Sequence, residues 1–111
     1  MQVTGGRVVL RAAGSELALA GRLDVTSVAE VRAALHHAVD HPGAPAELHV
    51  DVAALELVDA TGLGVLVGAH RRAQRAGRRL VLVDVPDRLA RVLFVTRLDR
   101  VLARARRPVA V

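Results

Sequence analysis

Two carboxylates, one hydroxyl and a pair of glycines form the set of residues in this chain best suited to chemistry. Asp59, Thr61, Gly62 and Gly64 fall within the run Val58-Asp59-Ala60-Thr61-Gly62-Leu63-Gly64-Val65-Leu66, and Asp24 ends an earlier strand-to-helix loop. An apolar, helix-periodic pattern follows Thr61, which predicts Thr61 as the N-cap, its hydroxyl accepting from a first-turn N–H. Gly is about 1 kcal/mol worse than Ala inside a helix. Two glycines in a first turn therefore need a reason, and close approach by another backbone is one.

Three uses of Thr61 are open on this pattern. It can be a cap on a tight strand-to-helix turn and nothing more. It can help bind an anion, since helix N-termini and Gly-rich turns attract phosphate. Against this, the glycine spacing matches neither a phosphate-binding loop nor a dinucleotide fingerprint, no Lys exists to contact a phosphate, and Asp59 would repel an anion. Thirdly, Thr61 can itself be phosphorylated, which adds roughly −1.5 to −2 charges. The helix dipole favours such a charge by about 0.3–1 kcal/mol, so the fold would survive it. At a contact surface beside Asp59 the same charge would have to be stripped of water, and that breaks an interface. Further along the helix Gly64, Gly68, Arg71 and Arg75 recur on one face, flat at one end and cationic at the other. Room for another chain makes this stripe a candidate partner surface.

The elements that must hold these residues follow from pattern. Arg7–Ala12 and Glu16–Ala20 read as short strands around the turn Ala13-Gly14-Ser15. Ser27 with Glu30 predicts a capping box, and Val28, Val31, Leu35 and Val39 a helix ended by His41-Pro42-Gly43-Ala44-Pro45. Glu47–Val52 alternates as a strand. The second helix runs from Thr61 with Leu63, Leu66, Val67 and His70 inward, and Ala76-Gly77 closes it. Leu80–Val83 reads as a strand covered on both faces. Pro86-Asp87 opens a third helix with Leu89, Val92 and Leu93 inward, and a short strand or turn ends the pattern. Strands joined through helices give parallel pairs, and the first hairpin adds an antiparallel edge. The expected fold is α/β: a small, mixed, mainly parallel sheet with helices packed on it.

Composition narrows the functions. The chain has 111 residues, no Cys and one aromatic residue, Phe94. That excludes disulfides, thiolate chemistry and stacking platforms for bases. All 16 basic residues are Arg and the net charge is +5, with clusters at Arg71–Arg79 and Arg104–Arg107. A nucleic-acid binder is the remote alternative this charge raises, but the Arg residues are spread as solvated faces and no DNA partner is expected. No apolar run reaches the roughly 18 residues of a membrane span and no apolar leader opens the chain, so a cytoplasmic protein without membrane insertion is expected. His36, His37 and His41 gather near one helix end, which suits partly cationic side chains better than a metal. No nucleophile, base and orienting acid assemble, so neither an enzyme nor a metal or cofactor site is expected.

Asp59-Ala60-Thr61-Gly62-Leu63-Gly64-Val65-Leu66 resembles the D-S-[ST]-G-L-G-V-L signature of STAS domains, in particular bacterial anti-sigma factor antagonists. Leu19-Ala20-Gly21-Arg22-Leu23-Asp24, Glu47–Asp51, Leu80–Val83 and Leu93–Leu98 resemble further family segments in the right order. The resemblance implies a STAS domain over residues 1–105 and a basic, flexible tail over 106–111. It implies phosphorylation of Thr61 by an anti-sigma factor that is also a serine/threonine kinase, and resetting by a metal-dependent phosphatase. The unphosphorylated form would bind the anti-sigma factor and release a sigma factor. Asp24, Asp59, Gly62, Gly64, Gly68, Arg71 and Arg75 would then contact the partner. Related domains also serve lipid-transport ABC systems as accessory subunits, or stress-sensing complexes, and these are the alternatives. Two residues depart from the pattern: Ala60 replaces the usual Ser, leaving no second hydroxyl, and Arg97 replaces a Gly, which puts the local turn in question.

Overall fold

A computed structural model describes residues 2–5, 8–13 and 16–106, with side chains from residue 17 onward. Strands β1 (Gln2–Gly5), β2 (Val8–Ala13) and β3 (Glu16–Leu23) lead into helix α1 (Val28–Asp40). Then come β4 (Glu47–Val58), α2 (Ala60–Arg75), β5 (Arg79–Val83), α3 (Asp87–Val95), a 3-10 turn (Leu98–Arg100) and β6 (Ala103–Ala105). The six strands form one sheet in chain order; β1 to β3 pair antiparallel and β3 to β6 parallel. The expected mixed, mainly parallel α/β architecture is what forms. Strand β1 was not expected, because Gln2–Gly5 holds only one apolar residue. The Gly14-Ser15 turn and residues 107–111 of the expected tail lie outside the described residues.

Alternation decides which sheet face is covered. Leu17, Leu19 and Leu23 of β3, Leu48, Val50, Val52 and Leu55 of β4, and Leu80 and Leu82 of β5 point to one face. There they meet Val31, Leu35 and Val39 of α1, Leu63, Leu66 and Ala69 of α2, and Leu89 and Leu93 of α3 in one buried cluster. Val81 and Val83 are also buried, on the opposite face, in register with His49 and Ala103 and with Asp51 and Ala105. Val67 and Val92, expected inward, are only half-buried at the edge of the core.

Contacts between α1 and the end of α2 fix the second helix. Arg72 donates from Nε to Asp40 Oδ1 at 2.9 Å, and the guanidinium holds the Asp40 carboxyl below its ordinary pKa. Arg78 reaches Val39 O at 3.0 Å, supplying a donor to a carbonyl that the end of α1 leaves over.

One local expectation fails. Ser27 does not form a capping box with Glu30: its backbone is in the helical region (φ −119°, ψ −11°), and its side chain makes no cap bond. The fully buried Ser27 Oγ instead donates to Arg22 O at 2.9 Å and accepts from Asp24 N at 3.1 Å, tying the loop to β3, while Glu30 stays exposed. The turn at Arg97 survives the missing glycine, because Arg97 itself adopts the left-handed conformation (φ 62°, ψ 16°), at a cost of roughly 1–2 kcal/mol.

His70 carries the first testable consequence. It is 5% exposed, and its Nδ1 has no hydrogen-bond partner among the described residues. Burial, then the charges of Arg71 and Arg79, push its pKa below the ordinary value of 6.5. The fold therefore holds His70 neutral while the unfolded chain takes up the proton as pH falls through about 6.5. This contribution to stability is intact above about pH 6.5 and falls away toward the lower folded-state pKa. His70→Leu, which keeps the bulk and removes the orphan nitrogen, is expected to add about 1 kcal/mol at pH 6. Melting curves of both proteins between pH 5 and 8, within the titration range of histidine, should show a flatter pH dependence for the variant.

Candidate functional site

The end of β4 and the start of α2 build the rim that carries Thr61. Asp59, not Thr61, is the N-cap: its backbone is extended (φ −90°, ψ −177°), and its carboxylate Oδ1 accepts from Gly62 N at 2.8 Å. Asp59 O accepts from Leu63 N at 2.9 Å, the first bond of the helix. Asp and Thr are both good caps, and the helix begins two residues earlier than the apolar period alone suggests. Thr61 thus sits second in the helix. Its side chain is exposed and makes no hydrogen bond among the described residues. A hydroxyl released from capping duty is available to a second molecule.

Asp24 is brought to the same rim. Leu23 of β3 and Val58 of β4 lie side by side in the parallel register, and Asp59 N donates to Leu23 O at 3.2 Å. Asp24, one residue beyond Leu23, is nearly buried and accepts from the backbone and hydroxyl of Thr26. Two acidic residues therefore end two adjacent strands, with the Thr61 hydroxyl just inside the following helix. Val25, next to Asp24, is 70% exposed. Its signal in the sequence is an apolar residue inside the polar loop Asp24–Ser27.

The two glycines have different reasons. A Cβ on Gly62 would sit 2.6 Å from Leu23 O and 2.8 Å from Leu23 Cγ, so the helix can start this close to β3 only without a side chain. A Cβ on Gly64 would meet nothing within 4 Å, and the same holds for Gly68. Of these three glycines, Gly62 alone is required by the fold. Thr61, Gly64, Arg71 and Arg75 are exposed and Gly68 half-buried, along one stripe of α2 that Thr61 heads. Arg71 and Arg75 lie roughly 15–21 Å along the helix axis from Thr61, at about 1.5 Å per residue, so they belong to the stripe and not to the rim.

The histidines gather no such site. His41 Nδ1 accepts from Gly43 N at 3.0 Å, and the rings of His37 and His41 meet edge to face at 6.3 Å. Among the described residues no group of three His, Asp or Glu side chains is positioned to hold a metal ion. No described helix is long and apolar enough to cross a membrane.

The family described as "Mlab, STAS domain" matches residues 7–104. The chain belongs to the STAS domain family. Among curated proteins, this STAS domain is 31% identical over 87 residues to the anti-sigma-B factor antagonists of Listeria monocytogenes and Listeria innocua, covering 78% of this chain and 75% of each relative. Among solved structures, it superposes on the anti-sigma factor antagonist SpoIIAA in its unphosphorylated form with a TM-score of 0.69 at 21% identity, covering 88% of this chain and 87% of that one. SpoIIAA in its phosphorylated form gives a TM-score of 0.65, also at 21% identity, covering 88% of this chain and 90% of that one. A Ser-to-Glu variant of RsbS from Moorella thermoacetica gives 0.68 at 27% identity, covering 93% and 89%. The relatives include an antagonist solved in both phosphorylation states, and the fold is common to all of them.

Proposed function

We propose that this protein is an anti-sigma factor antagonist, a binding module without catalytic activity whose contact surface is switched by phosphorylation of Thr61. In the unphosphorylated state the rim of Asp24, Asp59 and Gly62, with the stripe Gly64, Gly68, Arg71 and Arg75, receives an anti-sigma factor that is a serine/threonine kinase, and a sigma factor is released. The kinase transfers the γ-phosphoryl group of ATP to Thr61 Oγ1. A new O–P bond forms, the bond to the β-phosphate oxygen breaks, ADP leaves, and the hydroxyl proton passes to a base of the kinase. A metal-dependent serine/threonine phosphatase hydrolyses the ester and restores binding. The cycle belongs in the cytoplasm, where ATP and the transcription machinery are.

The observation that carries this reading is the Thr61 hydroxyl, exposed and unbonded at the second position of a helix already capped by Asp59. The other hydroxyls near the rim are engaged: Ser27 is fully buried and bonded to Arg22 O, and Thr26 bonds Asp24. Thr96 is tied to Val92 O at 2.7 Å.

Incubation with the cognate kinase and ATP, followed by peptide mapping in the mass spectrometer, is expected to find phosphate on Thr61 alone. Phosphate confined to Ser27 or Thr96 would overturn the assignment. If Thr61 takes no phosphate and the protein co-purifies with a transporter ATPase, the accessory-subunit reading replaces this one.

A further inference from the structure

Strand β4 outruns its neighbour on one side. Its register with β3 continues to Val58, whereas its register with β5 ends at the pair Asp51 and Val83. Among the described residues, the β5 side of β4 faces no strand beyond residue 51, because the chain after β5 turns away into α3. A strand edge without a neighbour leaves N–H and C=O groups in want of partners. One is met locally: Ala53 N donates to Asp51 Oδ1 at 2.9 Å, a side chain standing where a strand would be. Among the described residues no backbone hydrogen bond joins residues 54–58 to β5 or α3.

The gap beside that edge has the shape and lining of a groove. A cleft of about 490 Å³ separates it from α3, with Leu55, Leu57 and Val58 on the strand side and Pro86, Leu89 and Val92 on the helix side. Leu57 is 43% exposed. Glu56, Asp87 and Arg88 line the same cleft and form no ion pair among the described residues, leaving a net negative rim on a chain whose net charge is +5. Glu56 is skipped by the register with β3, a bulge of the kind that guards edges against indiscriminate pairing. Main-chain groups for affinity and apolar pockets for selectivity are the two requirements of strand addition.

We propose that this groove takes an extended segment of a protein partner, added as a strand against residues 53–58 of β4. Its alternate side chains are apolar and enter the cleft, and a basic residue faces Glu56 and Asp87. The groove adjoins Asp59 at the end of β4, so a partner seated on the rim can reach it with a short tail. The proposal deepens the binding-module reading and rests on it only in requiring a protein partner.

The test uses the full chain and a defined probe, a capped heptapeptide alternating valine with threonine and arginine. Added to isotope-labelled protein, it is expected to shift and slow the exchange of amides in residues 53–58, with shifts also in 86–92. The same peptide methylated on its backbone nitrogens, with its side chains unchanged, should not bind. Leu57→Arg, at a half-exposed position, should keep the native spectrum and weaken binding at least about tenfold, the equivalent of about 1.4 kcal/mol. Equal binding of the methylated peptide, shifts confined to other residues, or full affinity in Leu57→Arg would each overturn the proposal. So would a dimer of the unmixed protein that Leu57→Arg dissolves, because the edge would then belong to a second copy. Phosphorylation of Thr61 is read independently by mass, so either result can fail while the other stands.

Discussion

Thr61→Asp is expected to leave thermal unfolding within about 1 kcal/mol of the parent protein, the scale of a charge at a helix end. The same change should cut affinity for the anti-sigma factor kinase at least about tenfold, or 1.4 kcal/mol. The two responses differ because the residue stands where a helix welcomes negative charge and a partner does not. Thr61 has no side-chain hydrogen bond to lose, and the cap bond to Gly62 N comes from Asp59. In a complex the new carboxylate would have to shed water close to the Asp59 carboxylate, and nearby like charges destabilise a desolvated contact. Thr61→Ala should melt like the parent and remain permanently able to bind. Melting curves with titration calorimetry of all three proteins make the comparison. An unfolded Thr61→Asp would mean that Thr61 holds the fold. Full binding by both Thr61→Asp and phosphorylated protein would place the switch elsewhere.

Gly62→Ala and Gly64→Ala, two residues apart, are expected to change stability in opposite directions. The methyl group at 62 would press on Leu23 O at 2.6 Å and Leu23 Cγ at 2.8 Å, and a backbone carbonyl in a strand cannot step aside. The helix start must move, at a cost typical of overpacking, about 1–3 kcal/mol, and Thr61 moves with it. At 64 the added methyl group meets nothing, so the helix gains about 1 kcal/mol from propensity. Partner affinity should nevertheless fall in Gly64→Ala, since the methyl group projects from the stripe where another chain is to lie. Denaturant midpoints decide the sign. A destabilised Gly64→Ala or a stabilised Gly62→Ala would contradict the geometry.

How far the sequence could be read depended on whether the signal was local. The buried faces of α1, α2 and β4 repeat with helical or strand period, so Val31, Leu35, Leu63, Leu66, Leu48 and Val50 could be assigned inward before any fold was known. The rim was harder. That Asp59 caps in place of Thr61 depends on where the chain leaves β4, and two good caps two residues apart look alike. That Ser27 ties a loop instead of capping a helix depends on Arg22 O being near, which is a matter of tertiary position. The unmatched length of β4 was illegible for a similar reason. Strand ends are set by where the neighbouring strand turns away, and nothing within Ala53–Val58 announces that β5 stops at Val83.

The two loops of the rim are stitched to the sheet. Asp59 N holds Leu23 O, while Ser27 Oγ binds both Arg22 O and Asp24 N. Among the described residues, a phosphoryl group on Thr61 would therefore find no latch to release and no segment to refold. The domain would behave as a one-bit memory whose two states share one shape and differ only in charge. Its write and erase times would then belong to the kinase and the phosphatase, and the stored state would persist when both are dilute. Heating or mild denaturant short of unfolding would not scramble it, because the record is a covalent bond and not a conformation.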